Sequence, residues 1–120
     1  MDYKDILKED GNDVERTLNR FCGNEELYKK FLIIFFKKEN PENIRELYKD
    51  KKYEELFMAS HTYKGVTGNL GLQKLYEGFA KLDGKIRNED YEGIGELIEE
   101  VLEKKLELQK KLEGLLIEKI

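Results

Sequence analysis

His61-Thr62-Tyr63-Lys64-Gly65-Val66-Thr67-Gly68-Asn69-Leu70-Gly71 is the stretch on which the reading of this chain turns. It holds the only histidine of the 120 residues, and it continues a helical pattern that begins near Lys52. Gly65 and Gly68 fall inside that pattern, where a glycine costs about 1 kcal/mol relative to alanine. Two such residues imply a compensating gain, and close access to His61 is the simplest one. Gly71 needs no such argument, because glycine just past a helix end is an ordinary stop.

At about 100° per residue, Leu56, Ser60, Tyr63, Thr67 and Leu70 fall roughly 100° to 180° from His61. They form one stripe, the face that packs inward. Lys64 lies about 60° to one side of His61, Gly65 about 40° to the other, and Gly68 about 20° away. His61 therefore points to solvent beside one cation and two positions without a side chain. A core histidine is excluded by its place opposite the apolar stripe. An inert surface histidine leaves both glycines unexplained.

The chain on either side reads as further helices. Asn12 or Asp13 caps a helix to about Phe21, with Glu15 three residues after Asn12 completing a capping box. Gly23-Asn24 breaks the chain, and a helix follows from Glu25 to about Lys38 with Leu27, Phe31, Ile34 and Phe35 inward. Asn40-Pro41 restarts it, proline being tolerated in a first turn, and Ile44, Leu47 and Tyr48 mark a short helix that yields near Asp50. Beyond Gly71 a helix covers roughly Leu72 to Arg87, and Asn88-Glu89-Asp90 is a turn. A final helix runs from near Tyr91 as far as Ile117. Its stripe is Ile94, Leu97, Ile98, Val101, Leu102, Lys105 (by its stem), Leu108, Leu112 and Leu115. Short connections between long amphipathic helices favour antiparallel neighbours. The expected architecture is a single all-α domain over residues 1–120, an up-and-down antiparallel four-helix bundle with additional short N-terminal helices.

Charged residues make up 40% of the chain, hydrophobic residues 39%, and the net charge is −4. Lys and Arg are interleaved with Glu, so no basic patch argues for nucleic acid. Cys22 is the only cysteine, which excludes an internal disulfide and, with one histidine, argues against a Cys/His metal site. It reads as a half-buried structural thiol in a reducing cytosol. The start, Met1 to Asp5, lacks the apolar core of a signal peptide, and the run Phe31 to Phe36 is too short to span a bilayer. A cytoplasmic, monomeric protein with no membrane insertion is expected.

An exposed, uncrowded neutral imidazole is a nucleophile near neutral pH. It can attack phosphorus in line to form a phosphoramidate, provided the donor reaches its nitrogen. Lys64, one turn on, can offset the charge of an incoming phosphoryl group. The chain has no phosphate-binding glycine loop and no acidic triad for a metal, so the phosphoryl donor must be another protein or domain. Phe57 and Met58 lie about 40° and 60° from His61 and offer an apolar patch for such a partner; tucking under an N-terminal helix is the competing reading of both.

The run from His61 to Gly71 resembles the signature of histidine phosphotransfer (HPt) domains, which typically carry His-Thr-Leu-Lys-Gly, then small residues and a Leu-Gly or Ile-Gly. Tyr63 replaces the usual leucine at a core-facing position. Gly11 to Glu15 and Arg20 to Tyr28 resemble the family's first helix and the entry to its second, and about Gly11 to Leu102 fits its spacing. The resemblance implies a four-helix bundle whose histidine takes a phosphoryl group from a receiver-domain aspartate and passes it to another, within a multistep phosphorelay. His61 would be the phosphorylated residue, Lys64 the electrostatic helper, and Gly65 the residue that admits the partner. The family often has a glutamine or acidic residue 22 positions after the histidine to orient the imidazole. Here that is Asp83, with a shorter carboxylate; an ordinary solvated charge is its competing reading.

The partners implied are response-regulator receiver domains and a hybrid sensor histidine kinase. The receiver would supply the metal, so the chain itself needs no cofactor and is not an enzyme in its own right. Two other readings compete. One is the phosphorylatable N-terminal domain of a chemotaxis-type histidine kinase, which shares the His-Thr-x-Lys-Gly core. The other is a helical receiver-binding scaffold that never carries phosphate, which gains nothing from glycine inside a helix. The Asn69-Leu70-Gly71-Leu72 continuation looks more like the HPt domains of hybrid kinases.

Overall fold

A computed structural model describes residues 2–118, with side chains described through Leu116. Among these residues the chain is all-helical: α1 (Tyr3–Glu9), α2 (Val14–Arg20), α3 (Glu25–Ile33), α4 (Ile44–Lys49), α5 (Tyr53–Asn69), α6 (Gln73–Arg87), α7 (Ile94–Lys111) and α8 (Glu113–Glu118). Side-chain oxygens start the first three helices, each accepting from first-turn amides: Asp2 caps α1, Asp13 caps α2 and Asn24 caps α3. Such caps satisfy donors that an isolated helix leaves unpaired. None of the described helices is long and apolar enough to cross a membrane.

The long helices pack in sequence order, α5 against α6 and α6 against α7, with α4 lying on both α5 and α7. α5 and α6 are antiparallel. Gly68 faces Tyr76, His61 faces Asp83, and Phe57 faces Arg87, so one number rises as the other falls. α4 and α7 are aligned likewise, through Tyr48 at Gly95 and the Arg45–Glu99 ion pair at 2.8 Å. The stripe expected on α5 is the stripe that is buried: Leu56, Ser60, Tyr63, Thr67 and Leu70. The turn after α5 is a Schellman motif, with the Leu72 amide donating to Thr67 and the Gly71 amide to Gly68. Gly71 has a positive φ of 68°, and a Cβ there would also collide with Thr17.

Four local expectations are corrected. The face α3 buries is Tyr28 and Leu32, whereas Leu27 and Phe31 are exposed at 37% and 42%. The chain then widens into a π-helical turn, Ile34–Lys38, which takes both Phe35 and Phe36 into the core. Asn12 builds no capping box with Glu15. It is buried, its amide donates to the Leu7 carbonyl, and its Oδ1 accepts the Gln73 amide at the start of α6. Glu15 instead meets Lys8 at 2.7 Å. The final helix starts later than Tyr91, after Gly93 at φ 74°, and breaks at Leu112, so that α8 turns onto α3 and buries Leu116. Cys22 is exposed rather than half-buried, in the left-handed turn between α2 and α3.

Candidate functional site

His61 sits in the middle of α5, its side chain 59% exposed. Helical periodicity places it outward because the buried stripe occupies the opposite side. Its Nδ1 lies 3.6 Å from Oδ1 of Asp83. That carboxylate projects from α6 and is 2% exposed, so it is no solvated surface charge. A buried carboxylate survives only if it is paired. Here Lys64 Nζ and Arg87 Nη2 both donate to its Oδ2 at 3.3 Å. Oδ1 is left without a hydrogen bond, and it is the atom that faces His61.

The short Asp side chain reaches the histidine because α5 and α6 are closely packed there. Lys64 is one turn along α5 from His61, and Arg87 is one turn along α6 from Asp83. Two cations thus flank one buried anion beside the imidazole. Such a cluster favours an incoming anion. Sequence reasoning brought out Lys64 and Asp83 but missed Arg87. The signal for it was present: Arg87 follows Asp83 at i+4, the spacing of a helical ion pair.

The glycines differ. A Cβ built on Gly65 meets nothing within 4 Å, so the space over His61's neighbour is open. On Gly68 it would come 3.1 Å from the Tyr76 ring, so this glycine makes room for a side chain of the protein itself. Phe57 and Met58 also part company. Met58 stands 64% exposed. Phe57 is half-buried, its ring stacked on the His61 imidazole at a centroid distance of 5.9 Å, with the Arg87 guanidinium 5.5 Å over it.

Further along α5, Val66 and Leu70 join Phe21, Phe31, Ile34 and Arg20 in lining a groove of about 500 Å³. Arg20 also holds the C-terminal carbonyls of α5, donating to Gly68 at 3.0 Å and Asn69 at 3.3 Å. Among the described residues, no group of three or more His, Cys, Asp or Glu is arranged to hold a metal ion. Comparison of the chain with protein-family models, curated proteins and solved structures found no match.

Proposed function

We propose that this chain is a histidine phosphotransfer module of a multistep two-component phosphorelay. The observation that carries the reading is the exposed His61 beside the buried Asp83 carboxylate, with Lys64 at its flank and open space over Gly65. The bundle proposed for it is the up-and-down antiparallel four-helix arrangement, with α5, α6 and α7 as three members and the α3 to α4 segment supplying the fourth.

In this reading the imidazole carries its proton on Nδ1, facing Asp83, and Nε2 keeps its lone pair. Nε2 attacks the phosphorus of a receiver's aspartyl phosphate in line. The N–P bond forms as the P–O bond to the aspartate breaks, and the aspartate leaves as a carboxylate. The ring retains its Nδ1 proton and becomes a phosphoimidazolium, whose charge Asp83 balances. Lys64 is placed to turn from Asp83 toward the phosphoryl oxygens. The reverse reaction on a second receiver completes the relay. The partner's own site supplies the metal and most of the transition-state stabilisation. Met58 and the groove at Val66 and Leu70 offer apolar surface for docking.

The test is to mix the full chain with phosphorylated receiver domains and follow phosphate. Acid-labile, alkali-stable phosphate is expected on the wild-type chain and none on His61→Gln. Tight receiver binding without any transfer would instead favour the scaffold reading.

A further inference from the structure

Phe57 and Arg87 complete a circuit of contacts around His61. The four residues are two i,i+4 pairs on antiparallel helices, Phe57 and His61 on α5, Asp83 and Arg87 on α6. His61 Nδ1 faces Asp83 Oδ1 at 3.6 Å, and Asp83 Oδ2 accepts from Arg87 at 3.3 Å. The Arg87 guanidinium lies 5.5 Å from the Phe57 ring centre, and that ring stacks on His61 with 22° between planes. The Nδ1 contact is longer than a hydrogen bond, and the imidazole is mostly exposed. The carboxylate alone therefore leaves the χ1 and χ2 wells of the histidine open to exchange. A flat neighbour held near-parallel to the ring at 5.9 Å restricts that freedom, as aromatic pairs prefer offset arrangements at this separation.

We propose that Phe57 is a positioning residue: its ring, itself held by Arg87, keeps the His61 imidazole in the rotamer that turns Nδ1 to Asp83 and Nε2 away from it. The circuit is self-consistent, since the guanidinium that neutralises Asp83 also anchors the ring that aligns the histidine to Asp83. This deepens the phosphotransfer reading, and its kinetic consequence rests on that reading; its structural consequence does not.

The experiment compares the full chain with Phe57→Leu, which keeps apolar bulk, and Phe57→Tyr, which keeps the ring face. In the free proteins, scalar couplings and long-range proton–nitrogen NMR give the His61 rotamer populations and the ring tautomer. Phe57→Leu is expected to lower the population ratio of the favoured rotamer about fivefold, and Phe57→Tyr to match wild type. Unchanged populations and tautomer in a folded Phe57→Leu chain overturn the proposal. With a phosphorylated receiver, the maximal transfer rate of Phe57→Leu should fall about three- to tenfold, with the half-saturating receiver concentration unchanged. A raised half-saturation at unchanged maximal rate would make Phe57 a docking residue and also overturn it. If wild type accepts no phosphate, the functional reading fails, while the NMR comparison still decides the role of Phe57.

Discussion

Gly65 and Gly68 share a helix face, yet the space above them differs, and that difference separates stability from activity. Gly65→Ala adds a methyl to open space inside a helix, so it should raise the unfolding free energy by about 0.5–1 kcal/mol. The same methyl narrows the approach to His61, so transfer from a phosphorylated receiver should slow. Urea unfolding and transfer kinetics on one preparation check both signs. Alanine at Gly68 should yield a smaller gain, since the Tyr76 ring must shift. Periodicity made the His61 face legible, because angles along one helix need no partner. The Tyr76 contact, the burial of Asp83 and the Arg87 guanidinium over Phe57 depend on the register of α6 against α5, which no single-helix pattern contains.

The end of α5 shows how neighbouring elements complete one another. Its last carbonyls are taken by side chains from α2 and α3, Arg20 on Gly68 and Asn69, and Tyr28 on Leu70 at 2.9 Å. Tyr28→Phe should cost about 1 kcal/mol through the lost hydrogen bond. Burial pushes the Tyr28 phenol up to about 12. The native state thus keeps this proton at pH values where the unfolded chain releases it. Stability present below about pH 10 is lost as pH rises toward about 12, by about 1.4 kcal/mol per unit. Tyr28→Phe should flatten that part of the alkaline slope, measured as urea midpoints across the range. Tyr3, raised by burial and by its bond to Glu25, leaves some slope behind. The face of α3 was misread because apolar residues at 27, 28, 31, 32 and 33–36 present two overlapping stripes. Only the Tyr28 bond and the widened turn at Ile34–Lys38 choose between them.

Across the whole molecule, the order and rough extent of the helices were legible, since Gly23-Asn24, Asn40-Pro41, Gly71 and Asn88 to Asp90 all fall where helices stop or restart. The break at Leu112 was not, because Leu112 and Leu115 continue the stripe of α7 and carry no stop signal. What turns the chain is the burial of Leu116 as α8 meets α3. Leu116→Ala should therefore destabilise the protein by roughly 2–4 kcal/mol, read from the urea midpoint.

Asn12 ties α1 to α6 across a separation of 61 residues, one side chain serving the end of the first and the start of the second. Its withdrawal would strip the Gln73 amide of its acceptor at the turn between the two site-bearing helices. Opening of the N-terminal segment is thereby coupled to fraying of α6. Helices that look like a fringe on the sequence belong to the unit whose integrity keeps Asp83 beside His61.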